Sequence, residues 1–168
     1  PTSSRRQRQM CIRDRQKALY KSRKSLNPEL KRFVVIGDPG TANEKQNAIA
    51  KALIKQYKQK PFNTVLVLGD NVYEDGEPEN FYAAIYEPYQ WLFKQGVKFF
   101  PVLGNHDVRD ERVRDGTKQL NYWGAERYKN FSIAGGEIEF FGIDTTVMLP
   151  GYENCHCLLY TSDAADEK

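Results

Sequence analysis

Three short turns, each placed directly after a run of apolar residues, constrain this chain more than any other feature. The turns are Gly37-Asp38-Pro39-Gly40, Gly69-Asp70-Asn71-Val72-Tyr73 and Gly104-Asn105-His106-Asp107. The runs before them are rich in β-branched and aromatic residues, at 33–36, 64–68 and 98–103. That composition is typical of buried strands, so each turn is predicted to follow the carboxyl end of a strand. In an open α/β sheet these ends border the ligand crevice, and the three turns are predicted to meet there.

Helical patterns separate the three strands. The stretch after the first turn has apolar residues at helical spacing, and a capping box from Thr41 to Glu44 is its predicted start. Residues 79–95 also carry apolar side chains at helical spacing, and Gly96 ends that pattern. Strand, helix, strand, helix and strand with short links predict an α/β fold with parallel strands and right-handed crossovers.

The chain beyond the third turn has two further patterns. Residues 107–122 are charged and irregular, which predicts a long loop beside the crevice. Strand patterns at 128–133 and 137–143 flank Gly135-Gly136. This arrangement predicts a β-hairpin.

The two ends of the chain have an unusual relationship. Residues 5–14 and 157–166 can be encoded by opposite strands of one short DNA sequence, as a sequencing adaptor on both sides of a DNA segment would give. We therefore interpret both ends as adaptor-derived and exclude them from fold reasoning. The chain is then divided into four parts: adaptor-derived 1–15, a polar linker at 16–32, a domain at 33–155 and adaptor-derived 156–168.

The charge balance argues against a polyanionic partner. The formal net charge is +3 for 168 residues, but five arginines lie within 1–15 and the remainder is close to neutral. We therefore expect no nucleic-acid partner. Residues 16–155 contain no run of about 18 apolar residues, so no membrane span is predicted there. The one cysteine between the two ends, Cys155, supports neither a disulfide framework nor a zinc site.

The side chains at the three turns share one kind of chemistry. They are the carboxylates of Asp38 and Asp70, the phenol of Tyr73, the amide of Asn105 and the imidazole of His106. Hard oxygen donors with one imidazole suit a pair of metal ions better than a nucleophilic triad. A nucleotide-binding P-loop does not fit, because no Gly-Lys-Ser/Thr follows the first turn.

The three turns resemble the first three sequence blocks of the calcineurin-like metallophosphoesterase superfamily, which read Gly-Asp-x, Gly-Asp-x-x and Gly-Asn-His-Asp/Glu. The resemblance covers residues 33–144. It implies a four-layer αββα sandwich of which only about the first half is present, with 33–155 as the N-terminal part of the domain. The later blocks of the superfamily, which supply three histidine ligands, do not occur in this sequence.

Within the superfamily, the resemblance is to the purple acid phosphatase branch. Most members carry a metal-binding histidine two residues after the first Asp, where this chain has Gly40. Purple acid phosphatases also lack that histidine and use a tyrosine three residues after the second Asp, where this chain has Tyr73. A phenolate is a hard ligand, so the resemblance implies two metal ions, with Fe(III) in the first site and Fe(II), Zn or Mn in the second.

The resemblance also implies a role for each residue of the three turns. The implied metal ligands are Asp38 and Tyr73 for the first metal, Asp70 as the bridge between both metals, and Asn105 for the second. His106 is implied as a catalytic residue that stabilises or protonates the leaving oxygen. Asp107 is implied as the residue that orients His106.

The implied activity is phosphomonoester hydrolysis by an acid phosphatase-like enzyme that uses a metal-bound hydroxide. A phosphorylated small molecule or a phosphoprotein would be the substrate. Two alternatives stay open: a metallophosphodiesterase or nucleotidase of the same superfamily, and a non-catalytic binding module on the same fold. The chain as given is expected to be inactive, because the second metal keeps only two ligands. The branch leans towards an extracytoplasmic or secreted location.

Overall fold

The structure is a computed structural model that describes residues 32–114, 116–125, 129–133 and 136–148. All three of the turns that follow the predicted strands are among these residues. Both ends that we interpret as adaptor-derived, nearly all of the predicted linker and Cys155 lie outside them, so the predicted division of the chain stays a prediction.

Three parallel strands form the central sheet in the order β1-β2-β3. They are β1 (Phe33–Ile36), β2 (Thr64–Leu68) and β3 (Lys98–Val102). Phe33 lies opposite Thr64, and Thr64 lies opposite Lys98, so the three strands start level with one another. The sheet therefore delivers the three turns to one edge, and the predicted α/β class is confirmed.

The first helix begins two residues later than a Thr41 cap would place it. Helix α1 spans Glu44–Gln59, and its N-cap is Asn43, whose Oδ1 accepts a hydrogen bond from the backbone N–H of Gln46 at 3.1 Å. The side chain of Gln46 in turn accepts from the backbone N–H of Ala42 at 2.6 Å. The predicted cap at Thr41 is thus wrong, because Asn43 has the extended backbone that a cap requires.

The second predicted helix is confirmed, and a third one lies where a loop was predicted. A π-helical turn at Tyr82–Tyr86 leads into α2 (Glu87–Lys94), which ends just before Gly96. Helix α3 (Thr117–Trp123) begins and ends at glycines with left-handed backbones, Gly116 and Gly124. This helix was not predicted because its sequence has no clear apolar stripe. Gln119, a polar residue, is fully buried on the side of the helix that faces the protein interior. None of the helices in the described part of the chain is long and apolar enough to cross a membrane.

Helices α1 and α2 cover one face of the sheet. The core there joins Val65, Val67 and Phe99 from the strands with Ile85 and Leu92 from the helical layer, all at most 1 % exposed. Removing these apolar side chains from water is the main force that holds helices and sheet together, at roughly 1.5–3 kcal/mol for each large side chain.

A hairpin packs on the opposite face of the sheet. Its strands are β4 (Lys129–Ile133) and β5 (Ile138–Gly142), which pair antiparallel as predicted. The ring of Phe131 stacks on that of Phe100 at 3.6 Å and lies 5.2 Å from that of Phe140. This face stays partly open at β1, where Val35 is 48 % exposed. The composition of β1 predicted a buried strand, but in the described sheet β1 is a half-exposed edge strand.

Candidate metal centre

The first two turns lie directly against each other. The backbone N–H of Gly40 donates to the carbonyl of Asp70 at 3.2 Å, and that of Tyr73 donates to the carbonyl of Gly40 at 3.0 Å. A Cβ on Gly40 would lie 2.2 Å from the carbonyl carbon and oxygen of Asn71 and 2.4 Å from the backbone nitrogen of Val72. Only glycine therefore fits at position 40.

The second and third turns are equally close. A Cβ on Gly104 would lie 2.2 Å from Oδ1 of Asp70. The same oxygen accepts a hydrogen bond from the backbone N–H of His106 at 3.0 Å. The carboxylate of Asp70 thus reaches across to the third turn, and the prediction that the turns share one edge holds in the structure.

The phenol of Tyr73 lies between the two carboxylates. Its Oη is 3.0 Å from Oδ1 of Asp38 and 3.0 Å from Oδ2 of Asp70. A phenol has one hydrogen and can donate to only one carboxylate at a time. Burial raises the pKa of Tyr73, and the hydrogen bonds to Asp70 and Asp38, whose charges oppose a phenolate, raise it further.

Both aspartates have an unusual backbone. Asp38 has a φ of 51° and Asp70 a φ of 52°, in the left-handed region that residues other than glycine seldom adopt. Asp tolerates this region better than most residues, yet such positions cost on the order of 1–3 kcal/mol and cluster at functional sites. In each loop the sharp turn directs the carboxylate into the group around Tyr73.

His106 is held at three points. Its backbone N–H is bound by Asp70, and its ring lies 4.4 Å from the ring of Tyr73, centroid to centroid. Its Nδ1 is 2.5 Å from the carbonyl oxygen of Glu74. The imidazole therefore lies beside the phenol of Tyr73, and the backbone of His106 is bound to Asp70.

The carboxylate of Asp107 does not contact the imidazole of His106. Its two oxygens accept from the backbone N–H groups of Asn71, Val72 and Gly104 at 2.9–3.1 Å, and from Nδ2 of Asn71 at 2.7 Å. Asp107 is completely buried, and this burial raises its pKa to about 6 against the opposing effect of the N–H donors. The implied orienting role therefore needs correction: Asp107 fastens the second turn to the third, and the ring of His106 is held elsewhere.

Asn105 is exposed at the start of the short 3₁₀ turn His106–Val108, next to Gly104. Within the part of the chain that the structure describes, no hydrogen bond holds its side-chain amide. It thus lies at the crevice but is not drawn into the group around Tyr73.

Two residues that hold the three turns together were not identified from the sequence. Asn71 is fully buried and joins Asp107 to the carbonyl of Val102 through its Nδ2. Its place directly after the Asp of the second turn was the available signal. Glu74 acts through its backbone carbonyl, which every residue has, so no sequence signal could identify it.

The donors present fit one hard cation better than two. Across residues 32–148, where described, no three of His, Cys, Asp or Glu come together as a metal-binding group. The cluster is instead two carboxylates and a phenol, with Tyr73 Oη 3.0 Å from one oxygen of each carboxylate. Three hard oxygens gathered this closely suit a small, highly charged cation, which would also offset the negative charges of Asp38 and Asp70 beside the phenol.

A parallel α/β sheet with carboxylate, phenol and imidazole groups in the loops after its strands suits a metal-dependent phosphoesterase. The family model for calcineurin-like phosphoesterases matches residues 31–160, and the chain belongs to that family. Members are in general metal-dependent phosphoesterases with a dinuclear metal centre, which confirms the predicted superfamily and the general class of reaction. No curated protein matches the chain.

Proposed function

We propose that this chain is part of a phosphomonoesterase of the purple acid phosphatase branch, with Fe(III) as the cation beside Tyr73. The observation that carries this proposal is the position of Tyr73 Oη, 3.0 Å from one oxygen of Asp38 and 3.0 Å from one oxygen of Asp70. A phenol in that position can become a third oxygen ligand once it loses its proton to solvent.

The packing at Gly40 supports the same branch. In most of the superfamily a histidine at this position supplies a ligand, but here even a Cβ would collide with the backbone of Asn71 and Val72. The donor that the first turn lacks is offered by the second turn, through Tyr73. The close packing that excludes a side chain at Gly40 is therefore the same packing that brings Tyr73 to the first turn.

The other residues of the second and third turns lie at positions compatible with the proposed roles. Asp70 reaches Tyr73 with Oδ2 and the third turn with Oδ1, so it can bridge a first cation and a second one held by Asn105. Two such cations supply an activated water and a clamp for phosphate oxygens. His106 supplies the one imidazole of the site, which can hold or donate a proton at the leaving oxygen.

The described residues supply only part of a dinuclear site. The first cation has three ligands, and the second has only Asp70 and Asn105. We propose that imidazole ligands outside the described residues complete the second position in the natural protein, and that the 168-residue chain alone turns over little or nothing. The substrate is a phosphorylated small molecule or a phosphoprotein, with no nucleic-acid partner.

Ferric ion binding tests the branch. Fe(III) is added to the purified chain as a weak chelate, and the visible absorption of a ferric phenolate is recorded. The band is expected in the wild type, absent in Tyr73→Phe and unchanged in Tyr82→Phe, a matched loss of one exposed phenol outside the site. A band that survives Tyr73→Phe, or no band in the wild type at saturating iron, would contradict the proposal.

An activity assay tests the incomplete ligand set. Hydrolysis of 4-nitrophenyl phosphate is measured with Fe(III) and Zn(II) present, and the wild type is expected to match Asp70→Ala at background. Clear metal-dependent turnover that Asp70→Ala abolishes would show that the ligands in this chain suffice. If turnover occurs, a preference for the bis-aryl over the mono-aryl ester would favour the phosphodiesterase alternative.

A further inference from the structure

His106 has a second constraint that the family's general chemistry does not require. The acceptor 2.5 Å from its Nδ1 is the backbone carbonyl oxygen of Glu74. A carbonyl oxygen has lone pairs and no hydrogen, so Nδ1 must carry the proton in this contact. In the neutral ring, Nε2 is then the nitrogen with a free lone pair.

The other contacts of His106 keep its ring in this orientation. Its backbone N–H is bound by Oδ1 of Asp70, which fixes the start of the side chain. The imidazole lies next to the ring of Tyr73, with the centroids 4.4 Å apart and the planes tilted by 48°. The same two-residue segment, Tyr73–Glu74, thus contacts the imidazole both through the Tyr73 ring and at Nδ1.

Asp107, the residue that sequence reasoning assigned to this task, is fully engaged elsewhere. Its oxygens accept four hydrogen bonds from Asn71, Val72 and Gly104. It is also 0 % exposed, below the turns rather than at the crevice.

We propose that the Tyr73–Glu74 segment is the positioning element of His106, with the Glu74 carbonyl fixing the Nδ1–H tautomer and leaving Nε2 for the substrate. The role of Nε2 toward a phosphoester rests on the proposed function, whereas the tautomer does not. One segment then contributes to both functions of the site. The phenol of Tyr73 is a ligand for the first cation, and the carbonyl of Glu74 orients the imidazole of His106.

The tautomer can be read directly by long-range ¹H–¹⁵N correlation NMR on the ¹⁵N-labelled, metal-free chain. Spectra are taken at increasing alkaline pH until the ring nitrogen signals stop changing, and the tautomer is read from those final spectra. The chain has only two histidines, and His156→Gln assigns the signals. His106 is expected to show a protonated Nδ1 and an unprotonated Nε2, the reverse of the tautomer that a free histidine favours. A ring that is mainly Nε2–H, or that averages between tautomers, overturns the proposal.

A second variant separates the two candidate positioning residues. Asp107→Asn is expected to leave the His106 tautomer unchanged, provided that the amide spectrum shows a folded chain. A switch of tautomer in a folded Asp107→Asn chain would assign the task to Asp107 and overturn the proposal; if this variant does not fold, the wild-type spectrum decides alone. The ferric band of Tyr73 is independent of this measurement, so failure of one proposal is distinguishable from failure of the other.

Discussion

A single added methyl group at Gly40 should separate the first two turns. Gly40→Ala places a Cβ 2.2 Å from the carbonyl group of Asn71 and 2.4 Å from the nitrogen of Val72. Both obstacles are backbone atoms, which cannot move aside as a flexible side chain does. The chain at 38–40 must therefore shift away from 70–73 by the better part of an ångström.

The cost of that shift follows from what it disrupts. Forcing a methyl group into a close-packed site costs about 1–3 kcal/mol. The two hydrogen bonds that join the turns, Gly40 to Asp70 and Tyr73 to Gly40, contribute roughly 0.5–1.5 kcal/mol each. The total is on the order of 2–6 kcal/mol, a large share of the roughly 5–15 kcal/mol by which a domain is stable.

Urea unfolding of matched glycine variants measures this cost. With an m-value of about 2 kcal/mol/M, the midpoint of Gly40→Ala should fall by roughly 1–3 M. The control is Gly37→Ala in the same turn, where nothing lies within 4 Å of the added Cβ and where an alanine should be neutral or stabilising by up to about 1 kcal/mol. Equal midpoints for the two variants would refute the argument that close packing of the turns requires glycine at position 40.

Two further predictions concern Asp107 and the hairpin. Burial raises the pKa of Asp107 from its usual 3.8 to about 6, so the folded chain keeps a proton there that the unfolded chain loses. The stability of the wild type relative to Asp107→Asn should therefore fall by roughly 3 kcal/mol as the pH rises from about 4 to about 6, and stay level above that. Urea unfolding of both chains across this pH range measures the change. A wild type that gains stability relative to the variant as the pH rises would contradict the prediction. Phe131→Ala removes the ring that stacks on Phe100 and Phe140, at a cost of roughly 2–4 kcal/mol. Hydrogen exchange should then show faster exchange in β4 and β5 than in β2, and uniform loss of protection would contradict a separately docked hairpin.

The sequence predicted well those strands and helices whose bounds are set by residues within the element itself. Strand β2 has the predicted bounds, Thr64–Leu68, because a β-branched run ended by Gly-Asp allows little else. The start of α1 was misplaced because Thr41 and Asn43 are both good caps, and the backbone angle that selects Asn43 is not written in the residue type. Helix α3 was missed because its inward side includes Gln119, whose burial depends on the carbonyl of Gly76 that it binds.

The sequence by itself determined which donors this protein offers and at which edge they lie, since residue type sets donor chemistry and strand ends set position. Only the tertiary structure decided which N–H meets which oxygen. Asp107 binds Asn71 rather than His106, and His106 binds the carbonyl of Glu74. Such contacts depend on how closely loops more than thirty residues apart approach, and that distance is fixed by glycines such as Gly40 that leave room for backbone against backbone.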